Sequence, residues 1–144
     1  MKLRILVAIV AALALTAGAA ACARAPVTDT VDFRLNDTVT AVELSQRLPL
    51  AASFDDRMGT AQIARLETPL SIRGTEAASG YRVGDIAYWA SEQSIVVFLS
   101  DGTSVPSSGL VLIGHIGHGL ARISDCTQRC TLQISQDSAD VVQP

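Results

Sequence analysis

Two apolar runs joined by a short polar link constrain this chain more than anything else in it. The first, Gly84-Asp85-Ile86-Ala87-Tyr88-Trp89, alternates, so Ile86 and Tyr88 face one way and Ala87 and Trp89 the other. The second, Ser94-Ile95-Val96-Val97-Phe98-Leu99-Ser100, is apolar without a break between its serines, as in a strand covered on both faces. Ala90-Ser91-Glu92-Gln93 between them has hairpin length. Consecutive strands tend to be neighbours in space. The pair therefore predicts the central hairpin of a compact β domain.

The rest of the chain supplies partners for it. Val31-Asp32-Phe33-Arg34-Leu35 alternates and predicts a half-buried first strand, followed by a turn at Asn36-Asp37. Thr40 stands three residues before Glu43, the spacing of a capping box, with Val39 and Leu44 placed as a hydrophobic staple. A helix is expected from Ala41 to about Leu48, where Pro49 disfavours helical geometry. At roughly two turns it depends on packing against the sheet. Leu50–Phe54 and Thr60–Leu66 read as strands around a turn at Asp55–Gly59. Thr68–Gly80 reads as an irregular loop, with a short strand at Leu70-Ser71-Ile72. After a polar loop, Leu110–Ile116 reads as a buried strand in which Gly114 marks a bulge or a close backbone approach. Gly117-His118-Gly119 reads as a turn. Leu120–Ser124 and Thr131–Ser135 both alternate and predict a terminal hairpin joined through Cys126 and Cys130.

The 144 residues are one domain's worth, but part of that length has another use. Met1-Lys2-Leu3-Arg4 is a short basic start, Ile5–Leu15 is apolar and uncharged, and Thr16–Ala21 is small. That is the layout of a secretory signal; the competing reading is a retained membrane helix. Ala19-Ala20-Ala21-Cys22 resembles the lipobox of bacterial lipoproteins, in which the cysteine is lipidated and becomes the first residue. Ala19 stands where leucine is usual, and ordinary cleavage after a small-x-small site is the alternative. The organisation expected is a signal over residues 1–21, a tether over 22–30, the domain over 31–136 and a tail over 137–144.

Three cysteines are an odd number for an oxidising compartment. Lipid on Cys22 would leave Cys126 and Cys130 as a disulfide pair. A free Cys22 thiol or an intermolecular bridge are the other possibilities. From Cys22 onward the chain has nine arginines, no lysine and 14 acidic residues, about −5 in net charge. Schiff-base chemistry is excluded, and nucleic acid is not an expected partner. An acidic body does not cling to anionic lipid by charge. The membrane is therefore expected as a partner only through Cys22.

From Phe33 to about Ile123 the chain resembles the small bacterial cyclophilin-like fold proteins. The resemblance is carried by Arg47-Leu48-Pro49-Leu50, Gly84-Asp85-Ile86-Ala87-Tyr88-Trp89, the apolar strand to Ser100-Asp101, and Gly109-Leu110-Val111-Leu112-Ile113-Gly114-His115-Ile116. It implies a closed, mostly antiparallel β-barrel with one short helix, an all-β fold that agrees with the strand count above. The family often has a Glu-Lys pair shortly after the glycine corresponding to Gly59, whereas here Ala61-Gln62 follow Thr60.

Fold does not supply function. The cyclophilins' Phe-His-Arg and Gln-Gly-Gly-Asp-Phe segments are absent from the sequence. His115 and His118 lack further ligands at metal-site spacing, so neither metal nor cofactor is expected. No Gly-x-Ser-x-Gly elbow is present, and Cys126 and Cys130 do not have Cys-x-x-Cys spacing. The residues a ligand groove would draw on are Arg57, Tyr81, Trp89 and His115. The competing reading makes Tyr81 and Trp89 core, His115 a packing residue and Arg57 a solvated turn residue. The function expected is a non-catalytic module at the cell envelope, binding a peptide or small molecule. The alternatives are a weak prolyl isomerase and a structural envelope component.

Overall fold

The structure, a computed structural model, describes residues 29–137. The signal over residues 1–21, Cys22, most of the tether and the tail after Asp137 lie outside the described residues. Seven strands form a closed barrel: β1 (Thr30–Leu35), β2 (Leu50–Arg57), β3 (Ala61–Arg65), β4 (Asp85–Trp89), β5 (Ser94–Phe98), β6 (Val111–His118) and β7 (Cys130–Gln136). Around the cylinder they run β1-β6-β4-β5-β3-β2-β7. Every pairing is antiparallel except β1 with β7, which is parallel. The all-β fold expected from the sequence is the one observed.

The two-faced pattern of the central hairpin has a direct cause. Ile86 and Tyr88 point into the barrel with Phe33, Phe54, Ile95 and Val97. Ala87 and Trp89 point outward, into a second apolar cluster with Ala61, Val96, Phe98 and Leu110. β5 contributes to both, so all five of its residues are buried. Each large side chain fully buried here contributes roughly 1.5–3 kcal/mol relative to exposure. The hairpin link is a 3-10 turn, Ala90–Glu92, ended by Gln93 in the left-handed region at φ 53°.

Gly114 is a close approach. A Cβ there would collide with the carbonyl oxygen of Arg34 and lie 2.9 Å from Leu35 Cα. The β4–β6 register also shifts beside it, between Ile86 and Ala87. Inside the barrel the Tyr88 hydroxyl accepts a hydrogen bond from Leu70 N at 3.0 Å.

Several expectations are corrected. The helix α1 spans Val39–Ser45, and its cap is Thr38, whose hydroxyl accepts from Ala41 N at 3.3 Å. Thr40 is buried and donates instead to Ser71 O at 2.6 Å. Glu43 accepts from Ser71 N at 2.8 Å and from Arg47 at 2.5 Å, so both residues of the expected box tie the helix to the following loop. Second, Asp55–Arg57 belong to β2, and the turn is confined to Met58-Gly59-Thr60. Third, Leu70-Ser71-Ile72 is not a strand, and the Gly117–Gly119 turn gives way to a β6 that continues to His118.

Fourth, the terminal hairpin does not form: Leu120–Ser124 is a second short helix, α2. The reason is topological. β6 and β7 lie on opposite sides of β1, so the chain between them must cross that strand rather than fold back. α2 makes the crossing, with Gly119 at φ 92° against Val31 and Arg122 paired with Asp29. Cys126 and Cys130 form the expected disulfide, which links the end of this crossing to the start of β7. Buried Gln62 donates to Cys126 O at 2.7 Å from beneath. Asp137, assigned to the tail, pairs with Arg34 at 2.8 Å.

Candidate functional site

The outer apolar cluster is covered only in part, and the gap in its cover is the site. Ala61 and Ile63 of β3 and Val96 and Phe98 of β5 form a floor. Ser104, Pro106 and Leu110, from the stretch after β5, make one wall, Trp89 another, and Arg57 from the end of β2 with Thr60 from the following turn a third. The hollow has a volume of about 120 Å³.

Each wall is held from behind. Trp89 Nε1 donates to Ser108 Oγ at 2.8 Å, and Ser91 Oγ donates to the same oxygen at 3.0 Å, so the indole is fixed in its plane. Tyr81 stacks on Phe98 with ring centroids 3.7 Å apart and planes 10° apart. That stacking needs a glycine opposite: a Cβ on Gly102 would lie 2.5 Å from the Tyr81 hydroxyl. Paired backbone bonds between Tyr81 and Gly102, at 2.8 and 3.0 Å, hold this part of the cover in place.

Arg57 places its guanidinium carbon 5.9 Å from the Trp89 ring centroid. The acids beside it are committed elsewhere. Asp55 pairs with Arg129 at 3.0 Å, which raises the pKa of that guanidinium above its ordinary value. Asp56 accepts from Gly59 N at 3.1 Å and from Gln62 Nε2 at 3.1 Å. Among the described residues Arg57 has no carboxylate partner, so its N–H groups remain available to an acceptor in the hollow.

The structure thus brings Arg57 and Trp89 together, with Tyr81 supporting the floor from behind Phe98. It does not bring in His115, which lies outside the hollow, stacked over Gly84 with Nδ1 3.2 Å from Asp85 Oδ1. His118 is further along β6, opposite Asp32. Ile63, Val96, Phe98, Pro106 and Leu110 were not anticipated as lining residues. For Ile63, Val96 and Phe98 the signal was the outward half of an alternating or fully apolar strand, legible only once strand order is known; Pro106 and Leu110 lie in the stretch between β5 and β6.

A sequence model described as the Cyclophilin-like family matches residues 28–135. This chain belongs to the cyclophilin-like family. The match covers all seven strands except the last residue of β7. No curated protein sequence matches the chain. Among the described residues, the hollow of this cyclophilin-like barrel is lined by apolar side chains, two hydroxyls and one cation, with no His, Cys, Asp or Glu. General acid–base chemistry needs a titratable group within hydrogen-bond reach, and the hollow's lining offers none near neutral pH. Such a lining can hold an apolar group and donate hydrogen bonds to a carbonyl beside it.

Proposed function

We infer that this cyclophilin-like domain is a non-catalytic binding module for a peptide or small molecule, taken up in the hollow between Arg57 and Trp89. The observation that carries this reading is the pairing of a fixed aromatic wall with an arginine free of carboxylates over an apolar floor. Small-ligand sites combine apolar walls with a few convergent polar groups in this way.

Export and lipid anchoring are part of the reading and rest on the sequence. The basic start, the uncharged apolar stretch Ile5–Leu15 and Cys22 support an envelope lipoprotein, with free secretion as the alternative. The tether from Cys22 would reach ~25 Å at most, keeping the barrel near the bilayer. Mass spectrometry of the intact protein tests this: an acyl mass on Cys22 is expected, and an unmodified mature chain beginning elsewhere overturns it.

Trp89 is the only tryptophan, so its fluorescence reports on the hollow directly. Titration with short apolar peptides is expected to shift its emission saturably. No saturable change with any peptide would overturn the binding reading in favour of a structural envelope component.

A second reading, prolyl isomerisation, gains from the place of Arg57. Rotation about an amide breaks no covalent bond and needs no base, only a hydrogen-bond donor beside an apolar seat. A protease-coupled assay on a proline-containing anilide discriminates the two. Acceleration that disappears in Arg57→Ala would replace the non-catalytic reading.

A further inference from the structure

The hollow at Trp89 does not end at Arg57. A second depression, of about 200 Å³, is lined by Asp55, Asp56, Arg57, Ile63 and Arg65, and shares Arg57 and Ile63 with the first. A third, of about 360 Å³, includes Arg47, Ser53, Arg65 and Thr68, and shares Arg65 with the second. Together they make one track over β2 and β3. Its far end is open for a structural reason. β2 pairs with β3 only over Phe54–Arg57, against Ala61–Ala64, whereas Leu50–Ser53 pair with β7 alone. Successive residues of a strand direct their backbone groups to alternate sides, so half of those in Leu50–Ser53 face the cleft as a free edge.

The charges along the track are unequal. Arg47 is occupied by Glu43 and by the carbonyls of Thr68 and Pro69. Asp55 and Asp56 are occupied as described above. Arg65 is exposed, points outward at the junction of the second and third depressions, and has no carboxylate partner among the described residues. Glu67 stands in the third depression without bonding to it.

We propose that the ligand is an extended peptide whose apolar side chain fills the hollow at Trp89 and whose carboxylate, about four residues away, pairs with Arg65. This rests on the binding reading above and names its ligand class. The spacing comes from β3 itself. Ala61 lines the apolar hollow and Arg65 is four residues further along the same strand, a span of ~13 Å at ~3.3 Å per residue. An extended peptide covers that span in the same number of residues, and beyond the carboxylate its main chain can reach the free edge of β2, which starts opposite Arg65.

The test uses Trp89 fluorescence and a capped nonapeptide with a central leucine, a glutamate four residues to each side and serine spacers. Its symmetry makes the result independent of chain direction. The comparison peptide carries glutamine in place of both glutamates. At low salt the glutamate peptide is expected to bind about fivefold tighter, the scale of an exposed ion pair. That advantage should shrink at ~0.5 M salt, where charges are screened. Arg65→Gln should remove the advantage, so that the two peptides bind alike. Equal binding of the two peptides, or a preference that persists in Arg65→Gln, overturns the proposal while leaving the groove a binding site. If neither peptide perturbs Trp89, the proposal is overturned, and the binding reading then stands or falls with the wider titration above.

Discussion

The guanidinium of Arg57 meets the ring of Trp89 at 5.9 Å although β3 and β5 lie between their strands. Both side chains must lean across the outer face of the barrel to do so. The contact closes one side of the hollow, and at an exposed site it contributes about 0.5–1 kcal/mol. Arg57→Ala should therefore lower stability in urea by less than ~1 kcal/mol while shifting the Trp89 emission to longer wavelength. An unchanged spectrum would mean that the two side chains do not meet in solution.

Tyr88→Phe isolates one buried hydrogen bond. The ring stays in the core, but Leu70 N loses its acceptor in a place that water does not reach. The expected cost is about 1–3 kcal/mol, read as a lower urea midpoint. A loss near zero would mean that the loop around Leu70 shifts to find another partner.

Gly114→Ala tests the close approach of β6 to β1. The added methyl has backbone on the far side rather than the tip of a flexible side chain, so relief requires the two strands to part. Overpacking of this kind costs roughly 1–3 kcal/mol or more. Thermal unfolding of the variant beside the wild type measures it.

Glu43 gives the fold a pH dependence of known sign. The Ser71 backbone N–H, followed by Arg47, holds its carboxyl below the ordinary glutamate range. The folded state thus favours the carboxylate. Its stabilisation is fully present above the unfolded value, about 4.3, and is lost as pH falls through the lower folded value. Glu43→Gln should be less stable than the wild type near neutrality, with the difference closing below about pH 4. A gap that stays constant into acid would assign the loss to packing.

How much of this was legible depended on whether a residue's role was set locally. Ile86, Tyr88, Ala87 and Trp89 were sorted to the right faces because alternation is a property of the strand itself. Gly114 was flagged because a glycine within an apolar strand has few other reasons to be there. Thr40 and Glu43 had the correct spacing for a cap, but Ser71, distant in sequence, competes for both. Leu120–Ser124 read as a strand although Leu120 and Ile123 are three apart, a helical spacing that a strand would put on opposite faces; the crossing over β1 agrees with that overlooked local signal. At the site, Trp89 and Arg57 were named singly. Their meeting over Ile63 and Val96, and the free Arg65 beyond, follow from strand order, which no local pattern encodes.

The place of β7 has a consequence for how the molecule is made. It is the last of the described strands, yet it fills the seam between the first two of them, parallel to β1 and antiparallel to β2. Until Cys130–Gln136 are in place, β1 and β2 each present a bare edge to which any other extended chain can add. The cylinder is therefore sealed only when β7 arrives, through contacts of the longest sequence separation among the described strands, which are also the slowest to form.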